Sequence, residues 1–297
     1  MLIKNTLAAN YLLTVLLNPL NYQIMKKLFF YSSLFSLCFL FLNADAQTKV
    51  DTPKFALGIR GGISIPNLSG GGSSAENPLN TGYSSRLGLD AGIFAEFRFS
   101  GLFSLQPMLE YSAQGGKKDG LQAFPTPAPL AAAFVAQGQP APTYLYDNAN
   151  SAAKITYLML PILAKFGWNF SKTIRFYVDA GPFLGYLVYA HQVVTNSGGF
   201  YLDPKGTEPL SAFSPDAPSN INSDTDIKDQ LHDFNVGFEG NVGFAYKLFN
   251  GNKETGYFFI EGGGDYGFLN IQKGTANGKN NIGAGTANIG YTFCLGK

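Results

Sequence analysis

Charge, cysteine and long apolar runs are all scarce in this 297-residue chain. Charged residues make up 14% of it, well below the quarter usual for a soluble domain. The net charge of +1 gives no reason to expect a nucleic-acid partner. Of the two cysteines, Cys38 and Cys294, the first lies in an apolar leader. A single remaining thiol excludes an intrachain disulfide framework. After Gln47 no apolar run approaches the length of a membrane helix. Histidine is limited to His191 and His232. What is abundant is glycine, with 35 residues, and aromatics at 14%.

The leader itself is informative. Lys26-Lys27 precedes an apolar run from Leu28 to Leu42, and Ala44-Asp45-Ala46 closes it. A basic start, an apolar centre and an A-x-A site describe a signal peptide over residues 25–46, cleaved before Gln47. The run of about 15 residues falls short of the roughly 20 that a spanning helix needs. Residues 1–24 have no assignable role and fit a start placed too early, with Met25 the true one. Residues 47–54 then form a short periplasmic leader ahead of one domain spanning 55–297.

The stretch LDAGIFAEFRF, residues 89–99, alternates without a slip, as a strand with two unlike faces does. Similar alternation predicts eight strands, at 55–65, 86–100, 103–113, 155–168, 173–190, 232–248, 257–270 and 283–294. Their connections alternate too. Tight turns fall at Gly101-Leu102, Asn169–Lys172 and Asn250–Asn252, and long loops at about 66–85, 114–154 and 191–231, with a shorter one at 271–282. An even number of strands with short turns at one end and long loops at the other is the pattern of an outer-membrane barrel, with termini and short turns in the periplasm.

Volume decides which face meets lipid. An eight-stranded barrel has room inside only for its own side chains. One face carries Phe97, Phe99, Leu109, Tyr111, Leu158, Leu160, Phe166, Phe238 and Phe244, which would overfill it. The other carries Gly58, Gly62, Gly92, Gly181, Gly185, Gly237, Gly243, Gly263 and Gly290 among charges. The expected fold is therefore all-β: an eight-stranded antiparallel transmembrane barrel, apolar face outward, small and charged residues filling the lumen. A secreted lipocalin-like barrel would show the reverse. Phe97, Phe99, Phe103, Phe166, Trp168, Phe176, Phe258 and Phe293 lie near the short-turn end, as an interfacial girdle should, with Tyr111, Tyr186 and Tyr266 at the other rim.

Five segments, FALGIRGGISIPNLSG, FSLQPMLEYSAQGG, ITYLMLPILAKFGW, FYVDAGPFLGYLV and IGYTF, together resemble the PorT-like outer-membrane β-barrel family of Bacteroidetes. The resemblance runs from Phe55 to Phe293. It implies a porin-like outer-membrane barrel, with a link to protein secretion in one branch, and carries no catalytic residue over. Such barrels usually end on the aromatic, whereas Cys294 to Lys297 follow Phe293 here, which bears on recognition by the barrel-insertion machinery.

Carried through the strands, the alternation points Arg60, Arg98, Lys165, Arg175 and Lys247 inward, with Asp90, Glu96, Glu110, Asp179, Asp233, Glu239, Glu261 and Asp265. Buried charges must be paired, which predicts a salt-bridge plug; the alternative is a charged lining for a pore. Glu96, Arg98, Arg175, Asp179 and Glu261 fall at comparable depth and are expected to form one network. Pro107, Pro161 and Pro182 each remove a ladder donor, so bulges are expected there.

Other motifs are weaker. GAGTANIG, Gly283 to Gly290, lacks the Lys-Ser/Thr of a phosphate loop. SDTDIKD offers Asp224, Asp226 and Asp229 as calcium ligands but lacks the EF-hand glycine and closing glutamate, so it reads as a solvated acidic loop. Parity puts His191 inward and His232 outward, with no Ser-His-Asp arrangement in the spacing. The uncharged segment 121–146 reads as an extended loop of polyproline character, a partner-binding surface or a fold-back over the mouth. The function expected is that of a monomeric, non-enzymatic scaffold in outer-membrane lipid, with no cofactor and no metal, displaying loops to an extracellular or envelope partner. A narrow porin is the alternative, and a rim hydrolase or acyltransferase a distant third.

Overall fold

The computed structural model describes residues 53–69, 82–196, 199–213, 222–274 and 279–295. The signal peptide, residues 1–24 and most of the first long loop lie outside them. The strands are β1 (Phe55–Ser69), β2 (Gly88–Arg98), β3 (Phe103–Pro125), β4 (Tyr144–Asn169), β5 (Ile174–Asn196), β6 (Ser223–Asp226), β7 (Phe234–Asn250), β8 (Lys253–Gly267) and β9 (Asn281–Leu295). All pairings are antiparallel. β1 pairs with both β2 and β9, and β4 with both β3 and β5, so eight strands close a ring. β6 is a four-residue addition on the far end of β5.

Period-two alternation survives as alternating burial along every long strand. Outward-facing Ile59, Ile93, Leu160, Val242, Ile260 and Ile289 are exposed and form an apolar band. At the short-turn end the rings run in contact around the outside. Phe55 meets Phe97, Phe103 bridges Phe99 and Phe166, Phe176 bridges Trp168 and Phe244, and Tyr291 bridges Phe258 and Phe293. Tyr111, Tyr186 and Tyr266 are exposed near the other rim.

The lumen is less small-sided than expected. Glycines and charges do face in, but so do Phe94, Tyr157, Tyr177, Phe183, Tyr257 and Phe259, all buried. The reconciliation is local: four of these rings lie over a glycine directly opposite on the neighbouring strand. The pairs are Gly58–Phe94, Gly243–Tyr177, Gly237–Phe183 and Gly290–Phe259. A Cβ at Gly58 would stand 2.2 Å from the Phe94 ring, and one at Gly290 2.2 Å from Phe259. The missing side chain is the space the ring occupies.

The prolines do not bulge the barrel. Register is unchanged on either side of Pro107, Pro161 and Pro182, where the ladder is at most interrupted. A proline loses a bond to one neighbour only, and a strand held on its other edge absorbs that loss. The bulges fall elsewhere. One extra residue, Val188, sits in β5 opposite Thr156 and Tyr157, and another, Thr255, sits in β8 opposite Leu248 and Phe249.

The second long loop is mostly a hairpin. β3 and β4 remain paired from Gln114–Ile155 out to Pro125–Tyr144, about 40 Å of ribbon at the usual rise per residue. Its tip is a helix, α1 (Ala128–Ala136), where extended chain was expected. The alanine-rich run supplies helix propensity, the prolines are confined to its first turn, where they are tolerated, and Gly138 takes a φ of 71° just after the end. Gly138 donates to Val135 O and Gln139 to Phe134 O, each at 3.0 Å, which closes the helix as a Schellman motif. Phe134 is buried with Leu145, Phe200 and Leu210 and stacks on Phe213 with ring centroids 3.8 Å apart. The third loop thus packs on the arm, consuming most of the apolar side chains that had suggested a partner surface; Leu121 and Val135 stay exposed.

Candidate functional site

The charged side chains form two layers inside the ring rather than one network. In the middle, the guanidinium of Arg60 is surrounded by carboxylates from four other strands. It lies 2.9 Å from Glu110, 3.0 Å from Glu239, 2.9 Å from Glu261 and 3.6 Å from Asp90. Asn241 donates to Glu239 at 2.9 Å and to Asp179 at 3.0 Å, and the Tyr177 hydroxyl donates to Glu261 at 2.7 Å. Toward the long loops, the Gln114 amide donates to Asp265 at 3.0 Å. Lys165 stands 4.0 Å from Asp179, donates to Gln106 at 3.0 Å and lies 3.9 Å above the Tyr177 ring centre.

The second layer sits at the short-turn end. Arg98 pairs with Glu96 at 3.2 Å and with Glu254 at 2.8 Å, and Lys247 reaches Glu254 at 3.3 Å. Glu96 also accepts from Ser104 at 2.9 Å and from the Tyr257 hydroxyl at 2.5 Å. Asp179 and Glu261, expected beside Arg98, belong to the middle layer instead. Arg175 is buried at the lower level against Gly167, and among the described residues no carboxylate pairs with it. The free space between Glu96, Arg98, Lys165, Arg175, Tyr177 and Tyr257 is about 10 Å³, at the lower limit for one water.

Parity misassigned His191 and Asp233, and the strand predicted over 257–270 stopped short of Glu254. Glu254 is fully buried and holds Arg98 and Lys247 together, yet strict alternation back from Glu261 turns it outward; the extra residue Thr255 reverses the faces. His191 was expected inward, but Val188 reverses β5 in the same way. Its ring stacks on Tyr189 at 4.4 Å, outside the lumen, and its Nδ1 lies 2.6 Å from Asp224. Asp233 has the inward parity but is exposed at the long-loop rim. In the acidic segment Asp226 accepts the backbone N–H of Lys228 at 2.8 Å, and Asp224 is engaged with His191. His232, exposed, donates its backbone N–H to Ile271 at 2.7 Å. No serine accompanies either ring to make a nucleophilic triad among the described residues.

Two apolar clusters complete the filling. One, around Phe94, Met108, Leu163 and Phe259, lies between the ionic layers; the other, around Ile155, Tyr157, Met159, Phe183 and Leu187, lies toward the long loops. The ring, its outward apolar band and its charged interior decide the family. A family model for an outer membrane protein beta-barrel domain matches residues 45–273. The chain belongs to that family. It is an outer-membrane protein.

Among solved structures, neisserial surface protein A is similar over 82% of this chain and 97% of its own, with 11% identity and a TM-score of 0.39. Ail, the attachment invasion locus protein of Yersinia pestis, covers 81% of this chain and 99% of its own, at 8% identity and a TM-score of 0.32. The N-terminal β-barrel domain of Pseudomonas aeruginosa OprF covers 80% and 96%, at 12% identity and a TM-score of 0.27. No curated protein matches the chain.

Proposed function

We propose that this barrel is a closed, non-enzymatic scaffold that holds the β3–β4 arm and the loops packed on it outside the cell, for binding or envelope organisation. The observation that carries the reading is the filling of the lumen. Two ionic layers and two apolar clusters occupy it, and the gap at the lower layer is about 10 Å³. Hydrated ions need a continuous wet path, and a plug of paired charges and rings offers none. In this reading the short turns lie in the periplasm, the long loops outside, and the protein is a monomer in lipid delivered by the barrel-insertion machinery. The PorT-like resemblance, the cleaved leader and a partner held by the loops belong to the same proposal.

Reconstitution in a planar bilayer tests it. A closed scaffold gives no steady unit conductance, and a reproducible unit conductance abolished by antibody to the arm would establish the narrow porin instead. Orientation is read separately. A cysteine at Pro140, at the exposed tip of the arm, should react with an impermeant maleimide on intact cells, and one at Asn252 should react only after lysis. The reverse labelling inverts the topology.

A further inference from the structure

At the long-loop end the barrel does not close flush. A cavity of about 550 Å³ opens there between the arm, β5 and the β8–β9 loop, within the range of roughly 300–1,000 Å³ typical of small-molecule sites. Leu68, Ile155, Leu231 and Ile271 lie in its lining and belong to one buried cluster. Its apolar floor is therefore preformed by packing that also closes the lumen.

Two amides of the lining are turned with their carbonyls inward. Both amide protons of Gln122 are spent on backbone carbonyls, that of Lys118 at 3.0 Å and that of Ala149 at 2.5 Å. Two carbonyls around one nitrogen fix the sense of the amide, because an oxygen in that place would be repelled by both. The Gln122 carbonyl is left to the cavity, and among the described residues nothing donates to it. Across β4, Gln192 of β5 lines the same space and donates to the buried Ser151, which leaves a second carbonyl toward a guest.

The lysines of the lining ask nothing of that guest. Lys118 has partners of its own, the Tyr83 ring at 4.3 Å among them, and Lys273 is exposed to water. An anion would meet the amide carbonyls, and a cation would meet the Lys118 ammonium in the wall. A purely apolar guest would cover the Gln122 carbonyl and give it no donor, which leaves a buried acceptor unsatisfied. An uncharged molecule with hydroxyl groups at one end of an apolar body meets both parts of the lining.

We propose that the mouth cavity is a binding site for an uncharged amphipathic alcohol, its hydroxyl groups donating to the carbonyls of Gln122 and Gln192 and its apolar body resting on the Leu68–Ile155–Leu231–Ile271 floor. This site does not rest on the lumen being closed, because ligand capture at the mouth and conduction through the barrel are read by different measurements.

The test titrates hexane-1,2-diol, which is water-soluble, into the full barrel in nanodiscs of deuterated lipid and follows isotope-labelled isoleucine methyls by NMR. Ile155 and Ile271 report the cavity floor, while Ile59 and Ile260, exposed on the apolar band, report partition into lipid. Saturable shifts are expected at the first pair and not at the second. The dimethyl ether of the diol keeps the body and has no donor, so it should bind about five- to tenfold more weakly, the worth of one hydrogen bond. Hexanoate should also bind more weakly than the diol. Gln122→Met should bring the diol down to the level of its ether and leave the ether unchanged, and Ala153→Trp, which fills the cavity from its wall, should remove both. Heat-modifiable migration on gels confirms that each variant is folded, and the three ligands compared on the parent decide the matter even where a variant is not. The proposal is overturned by hexanoate or the ether binding as tightly as the diol, or by shifts that do not saturate or that run in parallel at Ile59 and Ile260. A folded Gln122→Met variant that binds the diol as the parent does would overturn it too.

Discussion

Arg60 and Glu239 are 179 residues apart in the chain, and their side chains meet at 3.0 Å inside the barrel. The same guanidinium is claimed by Glu110, Glu261 and Asp90. Removing one partner of a buried pair costs about 3–5 kcal/mol because the other is left uncompensated. Arg60→Met strands four carboxylates and should lose that much, measured by urea unfolding in detergent. Glu239→Gln alone should cost less, since three acids remain on Arg60. In a double-mutant cycle the two changes should couple rather than add. Additive effects, with altered ion selectivity in a bilayer, would turn the layer from a plug into a pore lining.

The glycine–ring pairs make a second, independent prediction. A Cβ at Gly58 would stand 2.2 Å from the Phe94 ring, so Gly58→Leu overpacks the lumen, at about 1–3 kcal/mol or more. Because the ring is what the new side chain strikes, Phe94→Ala in the same chain should restore most of the folded, gel-shifted band. Phe94→Ala alone should also destabilise, by leaving a cavity where the ring lay. Rescue in the double variant together with loss in both single ones is the expected pattern. Three equal losses would mean that Gly58 is required for its backbone and not for the ring.

Neighbouring residues on β4 separate the two faces. Leu160 is 50% exposed on the apolar band and Met159 is fully buried. Leu160→Arg places a charge in lipid at a cost of about 2–4 kcal/mol. The expectation of a wet, polar lumen would make Met159→Gln nearly harmless. Its surroundings are instead Tyr157, Phe183 and Leu187, where the Tyr157 hydroxyl is the one group able to pair with an amide, so a largely unsatisfied buried group at about 1–3 kcal/mol is expected. Met159→Leu, of similar volume, should cost under about 1.5 kcal/mol. Folded fractions after refolding into detergent rank the three variants, and a harmless Met159→Gln would restore the wet lumen.

How much of this was legible beforehand follows from what period-two alternation can carry. It reports which residues share a face as long as no residue is inserted, so Arg60, Glu96, Arg98, Glu110, Lys165 and Glu261 could be turned inward from the chain alone. A single extra residue reverses every later assignment on its strand, and nothing in YLVYAHQ or NKETGYF marks Val188 or Thr255 as the insertion. His191 was lost for that reason, and Glu254 because β8 begins at Lys253, ahead of the strand predicted from 257. Depth along the barrel is a matter of register between neighbours, which is why Asp179 and Arg98 appeared to share a layer. Gly58 and Phe94 could each be assigned to the inner face, but only the β1–β2 register sets one against the other. The arm escaped because its strands, β3 beyond Ala113 and β4 before Ile155, are rich in small and polar residues and lack an apolar face. Their pairing is a backbone ladder, and the apolar contacts that cover the arm come from the helix at its tip and the third loop, with Phe134 against Phe213.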